Sequence, residues 1–130
     1  MDKKPTHKQR AINKLEALGW MAADVEKWNA HSRKSSDLFG FIDVLAIRES
    51  QTLALQVTSD DHVADRKEKI MDKDHFHTLV ECLRAGWMVE VWGVRNRSTR
   101  DRSFAVVRKF QLINDGRQVA VYRTSSVLAI

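Results

Sequence analysis

The sequence predicts an α/β (α+β) fold in one domain, ordered helix, three strands, helix, strand and an added C-terminal β-hairpin. Three observations carry this. Apolar residues recur at helical spacing near the N-terminus and again between positions 60 and 85. Between those stretches lie two short runs rich in Val, Ile and Leu, Phe41-Ile42-Asp43-Val44-Leu45-Ala46-Ile47 and Leu53-Ala54-Leu55-Gln56-Val57-Thr58. Near the C-terminus, Asn114-Asp115-Gly116 separates two further apolar runs, and Asp-Gly is a strong hairpin signal.

Each element has a local cause. Thr6 followed by Gln9 is a capping-box signature, and Ala11, Ile12, Leu15 and Leu18 continue at helical spacing until Gly19 supplies a stop, so a first helix spans about residues 7–18. Trp20 to Trp28 reads as an edge strand. Residues 29–37 are polar and lack any period, which marks a surface loop. The two apolar runs then form strands joined through Arg48-Glu49-Ser50-Gln51 as a hairpin. From Asp60 to about Ala85 the pattern is helical in two pieces: Val63 and Ile70 stripe the first, Phe76, Leu79, Val80 and Leu83 stripe the second, and Gly86 ends it. Met88 to Val94 is a strand, and Phe104 to Ile113 and Gln118 to Arg123 form the last hairpin. The core occupies about residues 7–94 of a single domain, 1–130, and the basic hairpin region about residues 95–130.

Composition narrows the function class. With 130 residues, 43% of them hydrophobic, there is room for one domain with one core. Cys82, the single cysteine, excludes an internal disulfide. No apolar stretch approaches the roughly 20 residues needed to span a bilayer, and no apolar segment follows Met1-Asp2-Lys3-Lys4-Pro5, so the expected location is cytoplasmic, with no membrane partner. A net charge of +5 favours nucleic acid as partner, because neutralising phosphates supplies most of the affinity of such proteins.

The candidate chemistry starts from the two polar residues that interrupt the apolar runs. Asp43 and Gln56 lie thirteen positions apart on adjacent predicted strands. An unpaired carboxylate or amide in a sheet costs a few kcal/mol, so a strand carrying one has a compensating partner, a metal or a task. Side chains alternate faces, so Gln56 and Thr58 share a face that Asp43 can share on its neighbour.

The order helix-strand-strand-strand-helix-strand, with Gly40-Phe41-Ile42-Asp43 leading the second strand and Gln56-Val57-Thr58 closing the third, resembles the PD-(D/E)XK nuclease superfamily, in particular its small phage-type or Holliday-junction-resolvase-like members. The resemblance covers roughly residues 7–94. It implies a restriction-endonuclease-like core, hydrolysis of phosphodiester bonds of nucleic acid with DNA as the expected substrate, and Mg²⁺ or Mn²⁺ as cofactor. It also implies a setting in a bacterial or phage-infected host cell. Asp43 stands where the family has its metal-binding aspartate, Gln56 where it usually has Glu or Asp, Thr58 where it usually has Lys, and the Val57 carbonyl where it has a main-chain ligand. One carboxylate, one amide oxygen and one carbonyl suit Mg²⁺, which keeps several waters, but an amide in place of a carboxylate removes one negative charge.

Glu26, Asp37 and Glu16 could supply another acid. Glu16 and Asp37 read more simply as solvated charges, whereas the direction of Glu26 depends on strand register. The positive charge missing at Thr58 is expected from the helix that follows, with Lys69 as first choice and Lys67 as second; Arg66 shares a face with Lys69. Phosphate contacts are expected from Arg66 and Lys67, from Arg95, Arg97, Arg100 and Arg102, and from Arg33 and Lys34 in the earlier loop, beside His31. His75 and His77, two apart on a helix, point to different sides and are poor zinc ligands. Cys82 reads as a small core residue, and Trp20, Trp28, Trp87 and Trp92 most simply as core and sheet-face residues. Two other readings stay open: a catalytically degenerate nucleic-acid-binding module, favoured by Gln56 and Thr58, and a phage protein-interaction factor. A homodimer is compatible with the small size.

Overall fold

A computed structural model describes residues 4–95 and 104–124. Helix α1 (His7–Ala17) begins where the sequence places it: the Thr6 hydroxyl accepts the Gln9 N–H at 3.1 Å. The Gln9 side chain completes no reciprocal cap and donates instead to Asn13. Ala11, Ile12 and Leu15 are buried beneath the helix.

The strand predicted over Trp20–Trp28 is two elements. Strand β1 (Met21–Asp24) belongs to the main sheet. Strand β2 (Lys27–Asn29) turns away and pairs with β3 (Lys34–Ser36) in a separate two-stranded antiparallel ribbon. The stretch 29–37, predicted as loop, therefore contains a strand. Its turn is set by side-chain chemistry: Asn29 Oδ1 accepts the N–H groups of His31 and Ser32, and Arg33 adopts the left-handed conformation at φ 55°. All six strand residues of the ribbon are exposed, so no apolar alternation announced it.

Strands β4 (Val44–Arg48) and β5 (Gln51–Ser59) form the expected hairpin. A 3₁₀ turn (Asp60–His62), helix α2 (Val63–Ile70) and helix α3 (Phe76–Arg84) then cross to β6 (Met88–Val94), which runs parallel to β5. Strands β7 (Ala105–Ile113) and β8 (Gln118–Thr124) add the C-terminal hairpin, with Asn114, Asp115 and Gly116 all at positive φ.

The main sheet has six strands in the order β1-β4-β5-β6-β7-β8, and among its neighbours only β5 and β6 are parallel. One face packs Val44, Leu55, Val57 and Trp92 against Leu15 of α1. The other packs Ala54, Val91 and Phe110 against Val63 and Ile70 of α2 and Leu79 of α3. The molecule is thus a mixed α+β protein with a helix-covered sheet on both sides. Strand β5 is buried on both faces from Leu53 to Thr58. Beside it, Gly93 allows the crossover to press onto the sheet: a Cβ there would lie 2.2 Å from Val63 Cγ2 and 2.8 Å from Asp60 Cα. Among the described residues no helix is long and apolar enough to cross a membrane.

Candidate functional site

Strand β5 outruns β4. Its partner ladder with β4 covers Gln51 to Leu55, while its ladder with β6 runs on to Ser59. Asp43 immediately precedes β4, and continuing the Val44–Leu55 register sets it opposite Gln56. The backbone N–H of Val57, left without a β4 partner, is taken by the Asp43 carboxylate, at 3.0 Å to Oδ1 and 3.3 Å to Oδ2. Gln56 Nε2 donates to Asp43 Oδ2 at 3.2 Å. In an extended strand the N–H and C=O of one residue leave by the same edge, so the Val57 carbonyl also faces this gap.

Both polar side chains are recessed, Asp43 at 5% exposure and Gln56 at 4%. Burial pushes the Asp43 carboxyl up to about 7, against the opposing effect of the Val57 N–H. Gln56 Oε1 is buried and makes no hydrogen bond. A buried acceptor in that condition costs free energy unless a donor or cation meets it.

A cleft of about 480 Å³ opens above this pair. Asp43, Gln56 and Val57 lie at its floor, Arg66 and Lys69 of α2 line it, Ser35 and Ser36 bring the ribbon to it, and Glu26, Asp37 and Gly40 complete the lining. Lys69 Nζ stands 3.8 Å from Asp37 Oδ2. Burial raises the Asp37 carboxyl above the ordinary aspartate range despite that lysine. Glu26 is held below the ordinary range by hydrogen bonds from Lys8, at 2.6 Å, and from Ser35. Lys8 also reaches Asp24 at 3.0 Å, which ties α1 to the connection between β1 and β2.

Asp43, Gln56, Val57, Glu26, Arg66 and Lys69 therefore meet in one cleft although they come from separate segments. Asp37, expected as a solvated charge, joins them. Other positions differ from expectation. Thr58 is buried beside Gly93, where the start of the crossover closes over it, and does not line the cleft. Lys67 is also absent from the lining, since one residue beyond Arg66 a helix has turned by about 100°. Glu16 is exposed on α1, the helix that packs on the opposite face of the sheet. Arg33 and Lys34 are exposed on the ribbon and outside the cleft lining. Arg95 stands 3.9 Å from Asp60 and likewise does not line the cleft. Arg97, Arg100 and Arg102 lie outside the described residues. Trp20 and Trp92 are core residues, but Trp28 is 62% exposed, contrary to the expected sheet-face role.

Sequence reasoning missed Lys8, whose position on a polar helix face gives no hint of Glu26. It also missed Glu90, buried on β6, where Trp92 Nε1 donates to it at 2.9 Å and burial raises its carboxyl above the ordinary range. Glu90 sits inside an apolar strand as Asp43 sits inside an apolar run of the sequence, a signal of the same kind.

Among the described residues, no three His, Cys, Asp or Glu side chains are gathered closely enough to hold a metal ion by themselves. The oxygens converging on the floor, an Asp carboxylate, an amide oxygen without a partner and a main-chain carbonyl, are hard donors that fit a cation retaining several waters. No protein-family model, curated protein or solved structure matches the chain.

Proposed function

We propose that the protein is a divalent-cation-dependent endonuclease acting on nucleic acid, DNA above all, with a core of the restriction-endonuclease type and a variant PD-(D/E)XK site. The observation that carries the reading is the meeting of Asp43, Gln56 and Val57 with Lys69 across one cleft on a basic protein. The helix-flanked sheet with a parallel β5–β6 pair supports the same assignment.

In this reading Asp43, the Gln56 amide oxygen and the Val57 carbonyl would hold Mg²⁺ or Mn²⁺. Gln56 Oε1, buried without a hydrogen-bond partner, would be the amide ligand. Such a cation, when bound, polarises a phosphoryl oxygen and lowers the pKa of its water. Lys69 stands in for the charge that Thr58 lacks and meets the negative charge that develops on phosphorus. Arg66 holds a neighbouring phosphate, and Asp37 positions the Lys69 ammonium.

The test is cleavage of single-stranded, duplex and branched DNA in Mg²⁺ or Mn²⁺. Asp43→Ala abolishes cleavage. Lys69→Ala reduces it more than about 10-fold, at least about 1.4 kcal/mol on the barrier, with binding nearly intact. Normal cleavage by Lys69→Ala overturns the role of that lysine.

One observation favours a second reading, a binding module that has lost catalysis. Asp43 spends its carboxylate on the Val57 N–H and the Gln56 amide and sits near half-protonation at neutral pH. Salt-sensitive binding with no cleavage in either metal selects this reading.

A further inference from the structure

The β2–β3 ribbon contributes nothing to either face of the main sheet. All six of its strand residues are exposed, and a two-stranded ribbon without a core is marginal by itself. Yet it keeps an indole in water: Trp28 is 62% exposed. Register gives that indole a direction. Trp28 pairs with Ser35 across the ribbon, and directly opposed residues project from the same face. Ser35 bonds Glu26, a residue of the cleft lining, so Trp28, itself outside that lining, projects from the ribbon face that carries this contact. The charge is one-sided as well. Between positions 27 and 36 the chain carries Lys27, Arg33 and Lys34 and no acid.

An exposed indole among the ribbon's cations, beside a cleft that is lined by Arg66 and Lys69 together with Glu26, Asp37 and Asp43, matches the chemistry of an unpaired nucleotide: a base to stack on and phosphates to neutralise. We propose that Trp28 is a stacking platform for an unpaired base of a nucleic-acid strand whose backbone enters the cleft. This rests on the nucleic-acid reading above and narrows its substrate class to single-stranded or locally unpaired nucleic acid, because a base within an intact duplex has no free face to offer. An anionic membrane surface also attracts tryptophan and lysine. It suits the arrangement less well, since a flat surface cannot reach the recessed Arg66 and Lys69, whereas a single strand is thin enough to do so.

The experiment uses the full chain in EDTA, so that binding is read without cleavage, with (dT)12, a blunt 12-base-pair duplex and phosphatidylserine vesicles as probes. Trp20 and Trp92 are buried, Trp87 is half-buried and Trp28 is exposed, so the part of the quenching that Trp28→Ala removes is the part that reports on Trp28. Quenching by (dT)12, weaker quenching by the duplex, and a roughly 10-fold or greater loss of (dT)12 affinity in Trp28→Ala are expected, with partial recovery in Trp28→Phe. Trp28 lies outside both core clusters, so an unchanged melting temperature certifies that the variant is folded. Equal (dT)12 affinity of wild type and Trp28→Ala overturns the proposal, as does quenching by vesicles and not by oligonucleotide. Quenching and affinity loss in a protein that cleaves nothing in Mg²⁺ or Mn²⁺ sink the nuclease reading and leave the platform standing. Cleavage that is indifferent to Trp28→Ala, with affinity also unchanged, does the reverse.

Discussion

Asp43 combines burial, a half-satisfied amide neighbour and a raised carboxyl, and together these predict how stability depends on pH. Its folded value of about 7 lies above the ordinary 3.8, so the protonated form is the one the fold favours. The contribution is complete below about pH 4 and is lost as pH rises through 7. Three pKa units correspond to roughly 4 kcal/mol, an upper figure for one recessed group. Asp43→Asn, which cannot ionise and whose amide can donate to Gln56 Oε1, is expected to melt higher than wild type at pH 8 in EDTA, with the gap closing toward pH 5. Parallel pH profiles for the two proteins would remove Asp43 as the source. Metal binding has the opposite sensitivity: Gln56→Glu restores a negative ligand and tightens Mg²⁺ in calorimetric titration, whereas Asp43→Asn weakens it. No change in either would argue against a cation at this place. The Asp43–Gln56 pair was legible because each breaks an apolar run, a signal that needs no tertiary knowledge. Asp37 was not legible: its burial comes from the ribbon and α2 closing around it, and nothing in Ser35-Ser36-Asp37 distinguishes that from a solvated turn.

At the scale of elements, the crossover from β5 to β6 determines where Lys69 and Arg66 stand. Gly93 is the point of closest approach, and Gly93→Ala would bring a methyl group against Val63 and the Asp60 backbone. A loss of about 1–3 kcal/mol in chemical denaturation is expected, with a larger proportional loss of any activity that depends on Lys69. An unchanged midpoint would mean that α2 shifts freely. The helices and the central strands could be read from the sequence because helical apolar spacing and short continuous apolar runs are intrinsic to buried elements. The ribbon could not, because its strand residues are all exposed; its strands rest on backbone pairing, the Asn29 turn and the hydrogen bond from Ser35 to Glu26.

For the whole molecule, a net charge of +5 is the quantity that nucleic acid reads first. Replacing Lys27, Arg33 and Lys34 by neutral residues is expected to flatten the dependence of log K on log salt by about 0.7 per lost contact with a single strand, with little change between sequences. An unaltered slope would move the contact surface to the basic stretch from Arg95 to Lys109, part of which lies outside the described residues. The ribbon has one more consequence, for the survival of the protein in the presence of proteases. A segment held by two three-residue strands opens locally at little cost. It also carries Lys27, Arg33 and Lys34, each a tryptic site. Brief digestion should nick the chain there while the six-stranded sheet stays folded, severing the covalent link between Glu26 and Trp28 on one side and Ser35, Ser36 and the cleft floor on the other. One cut in the loop between β2 and β3 would then free the Trp28 strand from its partner without unfolding the sheet, and an oligonucleotide lying along the ribbon would act as its shield.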